Sequence, residues 1–248
     1  MPAFNPVRCD GALTGVENMR RDAALVDDVR ASGTGVVRLY AWKPYSVSLG
    51  YNQDAGTIDE RRCAELGVDV VRRPTGGRAV LHAEEITYAV ITPLAGKTPQ
   101  EWYAIIHSAI ARGVAELGLN DAAFVKSQPR FADVYRASAG ALCFSSSARY
   151  ELEWNGKKFV GSAQRVMGDV LLQHGSILLG EFHTRLAGLL NIADDKRAPM
   201  EGLLRARAIS IGEILGRPVT YDECCAPLTR GFEHELMIAD YHYHEHNS

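Results

Sequence analysis

The side chains able to do chemistry gather in four places. In Arg72-Arg73-Pro74-Thr75-Gly76-Gly77-Arg78-Ala79-Val80-Leu81-His82, three guanidinium forks surround a glycine pair whose permissive backbone can bring N–H groups close to bound oxygen atoms. Such a lining suits phosphate or carbonyl oxygens. Read alone, Pro-Thr-Gly-Gly is also an ordinary turn with solvated arginines; the clustering of Arg72, Arg73, Arg78 and His82 weighs against that. Cys143 stands among small residues, Gly140-Ala141-Leu142-Cys143-Phe144-Ser145-Ser146-Ser147, where a thiolate is a nucleophile and a protonated thiol is a small core residue. Lys158 follows Asn155-Gly156-Lys157, the setting of a solvated turn lysine, but Gly161-Ser162-Ala163 comes directly after it. His174-Gly175-Ser176 interrupts an apolar run, which marks either close approach of a ligand or a hydrogen-bonded core histidine.

These residues need a scaffold, and hydrophobic periodicity supplies its outline. Gly15 to Ala31 places Val16, Met19, Ala23, Leu25, Val26 and Val29 at helical spacing, so Asn18 and Asp22 are assigned ordinary packing and surface roles. Val36 to Trp42 and Ser46 to Tyr51 flank Lys43-Pro44-Tyr45 and predict an antiparallel pair. Asn52-Gln53-Asp54 then opens one helix through Ile58, Cys63 and Leu66, closed at Gly67. Strands are expected at Val68 to Val71 and Ile86 to Ile91, on either side of the glycine loop. Pro99 to Leu117 is a core-facing helix, and Leu119 to Arg136 reads as irregular. Asn155-Gly156 between alternating runs is a strong hairpin signal that delivers Lys158. Val170 to Leu179 is a further strand, and helical segments follow at Leu186 to Leu190, Ile209 to Leu215 and Tyr221 to Leu236. His242, His244 and His246 read as a disordered polar end, with no metal site assigned.

The expected fold is therefore α/β (α+β): one mixed, largely antiparallel sheet built from strands near 36, 46, 69, 86, 150, 158 and 170, with packed helices. Residues 1–197 are expected to form the catalytic domain, and 198–248 a short helical extension packed on it. With 248 residues, 46% of them hydrophobic, the chain can bury one large core. Its formal charge of −3 gives no overall attraction to nucleic acid or to an anionic membrane. There is no apolar run of bilayer length and no basic-then-apolar start, so a cytoplasmic protein is expected. Cys9, Cys63, Cys143, Cys224 and Cys225 are odd in number and lack CxxC spacing, against a secreted disulfide framework or a zinc knuckle.

The loop from Arg72 to His82, followed by Glu85-Ile86-Thr87-Tyr88, resembles the signature loop of the lipoate–protein ligase and octanoyltransferase family, within the biotin/lipoate A/B protein ligase superfamily. The likeness runs from about Asn18 to Phe232. It implies that Arg72, Arg73, Thr75, Gly76, Gly77, Arg78, Ala79 and His82 wrap the carboxyl end of an octanoyl or lipoyl chain. Lys158 with Gly161, Ser162 and Ala163 resembles the family's Lys-x-x-Gly-Ser-Ala segment, in which the lysine contacts the acyl carbonyl. His174 and Gly175 match the strand near the acyl site, and Ser48, Gly50, Tyr51 and Gln53 the tract lining the acyl pocket. Cys143 resembles the acylated cysteine of the octanoyltransferases in the ligase-like branch; the Gly-Arg-Asn-Asp-like stretch usual in the ligases is absent.

Three activities follow from that resemblance. The first is a cysteine acyltransferase, with Cys143 and Lys158 catalytic and no cofactor, carrying octanoyl from acyl carrier protein to a lipoyl domain such as glycine cleavage H protein or a dehydrogenase E2 subunit. The second is a lipoate ligase using ATP and Mg to form an acyl-adenylate. The third is an acyl-binding module without turnover. The short helical tail favours transfer, since the better-known ligases enclose the adenylate with a separate accessory domain.

Overall fold

The computed structural model describes residues 2–125 and 151–246. In chain order its strands and helices are β1 (Arg8–Leu13), α1 (Gly15–Ser32), β2 (Val36–Trp42), β3 (Ser46–Leu49), α2 (Glu60–Glu65), β4 (Asp69–Arg72), β5 (Val80–His82), β6 (Glu85–Pro93), α3 (Pro99–Glu116), β7 (Ala123–Val125), β8 (Glu151–Trp154), β9 (Lys157–Lys158), β10 (Val160–Met167) and β11 (Val170–Leu178), followed by helices α4 (Leu186–Leu189), α5 (Asp194–Arg207), α6 (Ile211–Leu215) and α7 (Tyr221–His246). The α/β class is as expected. The strands, however, divide among three sheets rather than one: β1-β2-β6-β11-β10, β4-β3-β5 and β7-β8-β9.

The predicted pairing of β2 with β3 does not occur. β2 pairs parallel with β1 and antiparallel with β6, while β3 pairs parallel with β4 and antiparallel with β5. Both strands are buried along nearly their whole length, so period-two alternation carries no information about which neighbour each one takes. Lys43-Pro44-Tyr45 carries the chain from one sheet to the next. β1 was not foreseen, because it is largely exposed and Gly11, at φ 69°, breaks its register against β2.

Helix starts follow their caps. Thr14 accepts from the Glu17 amide to open α1, and Thr98 with Glu101 forms a capping box ahead of Pro99 in α3. The single helix expected after Asp54 is split, since Asp54 caps a 3-10 turn at Ala55–Thr57 and Asp59 caps α2 separately. Asn155 and Gly156 take φ 48° and 75°, the left-handed pair that a two-residue hairpin requires. α7 continues through His246, so the histidine-rich end is helical rather than disordered.

α1 covers one face of the five-stranded sheet, where Val26, Val29, Tyr40, Ala89, Ile91 and Leu172 form a core. α3 and α7 cover the other, where Ile106, Ile110, Leu228 and Phe232 meet Leu39, Tyr88, Val90 and Leu171. A third core, containing Val47, Leu49, Cys63, Leu81, Leu189 and Leu204, lies under the β4-β3-β5 sheet.

Candidate acyl site

The buried face of α1 holds the expected Met19, Leu25, Val26 and Val29 but is centred toward Asn18 and Asp22. Val16 is 67% exposed, whereas Asn18 and Asp22 are fully buried. Asp22 Oδ1 accepts from Arg38 Nη1 at 2.7 Å, and Oδ2 lies 3.0 Å from both Tyr40 Oη and His174 Nδ1. Arg38, also fully buried, donates through Nε to Asp10 at 2.8 Å and through Nη2 to Asn18 Oδ1 at 2.9 Å. Three side chains, Asp22, Asp10 and Asn18, thus satisfy the Arg38 guanidinium away from water.

The glycine loop is held from within. Arg73, 4% exposed, donates to Ser48 O, Ser48 Oγ, Gly76 O and Arg78 O at 2.6–3.0 Å. Arg72 Nη1 donates to the carbonyls of Gly50, Tyr51 and Gln53. These guanidiniums, expected to grip a ligand, bind backbone carbonyls here and thereby set the loop's shape. Gly77 takes φ 96°, and its carbonyl rests where a Cβ on Gly50 would stand. Outside, Arg165 donates to Pro74 O at 2.8 Å and lies over the Tyr51 ring at 4.0 Å. Gln53 bonds Gly50 N and Thr57 Oγ1, a local turn contact.

Antiparallel pairing of β10 with β11 sets Gly161 opposite Ser176, Ser162 opposite Gly175 and Ala163 opposite His174. Two segments singled out separately in the sequence thus become one patch. A narrow slot runs between this patch and β3, lined by Met19, Tyr40, Trp42, Ser48, Arg73, Val80, His82, Thr87, Gly161, Ser162, Ala163, His174, Gly175 and Ser176. Of the predicted residues it gathers Arg73, His82, Gly161, Ser162, Ala163, His174 and Gly175. Arg72, Thr75, Gly76, Gly77, Arg78, Ala79 and Lys158 lie off its wall. Lys158 is buried at the end of the hairpin, with its carbonyl accepting from Ile209 N at 2.9 Å. Cys143 lies outside the described residues.

Two carboxylate–imidazole–hydroxyl chains flank the slot. Glu85 Oε1 accepts from His82 Nδ1 at 2.8 Å, and His82 Nε2 meets Ser48 Oγ at 2.7 Å. Asp22 accepts from His174 Nδ1, and His174 Nε2 meets Thr75 Oγ1 at 2.5 Å. Opposite an ionised carboxylate, which only accepts, an imidazole donates from Nδ1 and accepts the hydroxyl's hydrogen bond at Nε2. Burial lowers the pKa of His174, Asp22 opposes that shift, and Arg73 and His82 add to it. Beneath the slot, Ser162 Oγ bridges Tyr88 Oη at 2.7 Å and His107 Nε2 at 3.2 Å, and burial brings His107 down to about 4. Most polar atoms around the slot bond one another, and its free volume is about 30 Å³, so an alkyl chain enters only as the walls part.

Residues 14–233 match the model of the lipoyl protein ligase A/B catalytic domain. The chain belongs to that family. It is 36% identical to octanoyltransferase LipM of Lysinibacillus sphaericus (strain C3-41) over 231 residues, covering 89% of this chain and 83% of that protein. It is 38% identical to octanoyltransferase LipM of Geobacillus kaustophilus (strain HTA426) over 230 residues, covering 89% and 82%. Among solved structures, the bi-partite lipoate protein ligase of Thermoplasma acidophilum aligns with a TM-score of 0.72 at 20% identity, covering 95% of this chain and 84% of that one. The lipoyl ligase A/B family member therefore has the fold of the lipoate ligases.

Asp22, Arg38, Tyr40, Trp42 and His107 were missed as parts of the site. A signal existed for Asp22: with Gly15, Asn18, Met19, Leu25, Val26 and Val29 it completes the buried helical face.

Proposed function

We propose that this protein is an octanoyltransferase of protein lipoylation. The observation that carries this reading is the slot enclosed by the Gly161–Ala163/His174–Ser176 register and the Arg73-held loop, in a chain whose relatives are octanoyltransferases. An octanoyl chain in the slot would gain about 0.8 kcal/mol for each methylene taken from water.

In the proposed reaction, the Cys143 thiolate attacks the octanoyl carbonyl of a carrier-protein thioester. The carbon–sulfur bond to the carrier breaks, and the carrier thiolate takes up a proton. The acceptor lysine amine of a lipoyl domain, in glycine cleavage H protein or a dehydrogenase E2 subunit, then attacks the Cys143 thioester. A carbon–nitrogen bond forms and the sulfur of Cys143 leaves with the amine's proton. Lys158 donates to the acyl oxygen as negative charge develops there. Exchange of one thioester for another keeps the acyl group activated, so the sequence needs neither ATP nor Mg. Among the described residues, no helix is long and apolar enough to cross a membrane, and none form a metal-binding cluster. The carrier-protein donor fits a cytoplasmic location.

The test is a transfer assay combining octanoyl carrier protein, an apo lipoyl domain and the enzyme, with and without ATP. Octanoyl-lysine formation that is independent of ATP supports transfer. Product only from free octanoate or lipoate with ATP and Mg establishes the ligase instead.

A further inference from the structure

Asp22 does not line the slot, yet its carboxylate is the hub of a buried chain that ends on the glycine loop. Its first oxygen is committed to Arg38, and its second accepts from Tyr40 Oη and His174 Nδ1. His174 Nε2 is thereby left as an acceptor, and the atom within reach is the hydroxyl of Thr75. Thr75 is fully buried and precedes the exposed Gly76-Gly77 pair. Its carbonyl accepts from Tyr51 N at 2.8 Å, so His174 and Tyr51 fix the residue from two sides. The charged and titratable groups facing His174 are Asp22 from α1, Arg73 from the loop and His82 from β5, while Arg38 and Tyr40 from β2 reach it through Asp22.

We propose that Asp22 is a positioning residue for acyl-donor binding. It holds His174 as the neutral Nδ1-protonated tautomer, and the His174 Nε2 lone pair then anchors the Thr75 hydroxyl and keeps the glycine pair in one conformation. This rests on the proposed function only for the identity of the donor. Asp22→Asn turns an amide N–H or a weaker acceptor toward His174, the tautomer preference is lost, and the loop, starting from several conformations, loses more entropy on binding. The effect therefore falls on donor affinity.

A double-mutant cycle tests this coupling. Asp22→Asn and Thr75→Val are each expected to raise the KM for octanoyl carrier protein about tenfold, the equivalent of one lost buried hydrogen bond, with kcat within about twofold. The double variant should be no worse than the worse single variant, and Thr75→Ser should restore the wild-type KM. Additive effects in the double variant, or an unchanged KM in Asp22→Asn, overturn the proposal. A second measurement needs neither turnover nor a stable Asp22 variant: nitrogen-15 spectra of wild-type protein at pH 7, with the His174 signals assigned by their loss in His174→Gln. Nδ1-protonated His174 is required; an Nε2-protonated ring or an imidazolium overturns the proposal. Were the wild type to transfer no octanoyl group, the functional reading would fail while these spectra still reported the His174 tautomer on which the role of Asp22 depends.

Discussion

Trp42 stacks on the imidazole of His82, with ring centroids 3.9 Å apart and planes 11° from parallel. The pair lines the slot on one side and, on the other, a cleft of about 680 Å³ bordered by Tyr45, Glu84, Gly180 and Tyr221. It is a partition between a narrow space and a wide one. The larger cleft contains few of the motif residues, which is why the narrower slot is assigned to the acyl chain.

Removal of the partition should change chain-length preference. Trp42→Ala is expected to raise turnover of dodecanoyl relative to octanoyl carrier protein by about tenfold, as methylenes beyond the eighth enter the cleft. Trp42 is 5% exposed and donates to Thr87 Oγ1 at 2.7 Å, so a stability loss of about 3–5 kcal/mol should accompany the change. Competition between the two donors reads the first effect and denaturant unfolding the second. An unchanged preference in folded variant assigns the chain end elsewhere.

Arg73 separates a loop-building role from ligand gripping. Its guanidinium serves Ser48, Gly76 and Arg78, a fan that an ammonium does not reproduce. Arg73→Lys should cut kcat/KM by at least about tenfold, and the factor should be the same at low and high salt, because bonds to buried carbonyls are little screened. A defect that shrinks as salt rises would instead indicate direct attraction of an anionic donor.

The pH dependence of stability should carry the mark of His107. Its pKa falls from 6.5 to about 4 because burial penalises the imidazolium. The unfolded chain therefore binds more protons than the folded one between those values. Stability is fully present above pH 6.5 and declines as pH falls toward 4, by at most about 3 kcal/mol for this group. His174 and His183 are shifted in the same direction, so the variant must be compared with wild type. His107→Gln should flatten the slope over that window in urea titrations; an identical slope would remove His107 from the account.

Much of this site was legible along the chain, because its motifs sit where local rules are strict. Asn155-Gly156 dictated the hairpin that carries Lys158, and Gly161-Ser162-Ala163 and His174-Gly175-Ser176 stood out as polar or small residues in apolar strands. What the sequence withheld was partnership. The chain's pattern does not say that Ala163 faces His174, a matter of register, nor that β3 leaves β2 for another sheet, since burial on both faces of β2 and β3 erases the alternation that specifies neighbours. Arg72 and Arg73 read as ligand forks because a guanidinium looks the same whether it meets a phosphate or a carbonyl. Arg38 and Asp22 escaped notice because each is costly to bury alone and makes sense only once the other is beside it.

Intact mass spectrometry reads the acyl-enzyme itself. Wild-type protein mixed with octanoyl carrier protein, without ATP and without acceptor, should gain one octanoyl group that hydroxylamine removes and that peptide mapping places on Cys143. Cys143→Ala should gain none and should transfer none to a lipoyl domain. Transfer by Cys143→Ala at the wild-type rate, or a label on another residue that the acceptor discharges, contradicts the account.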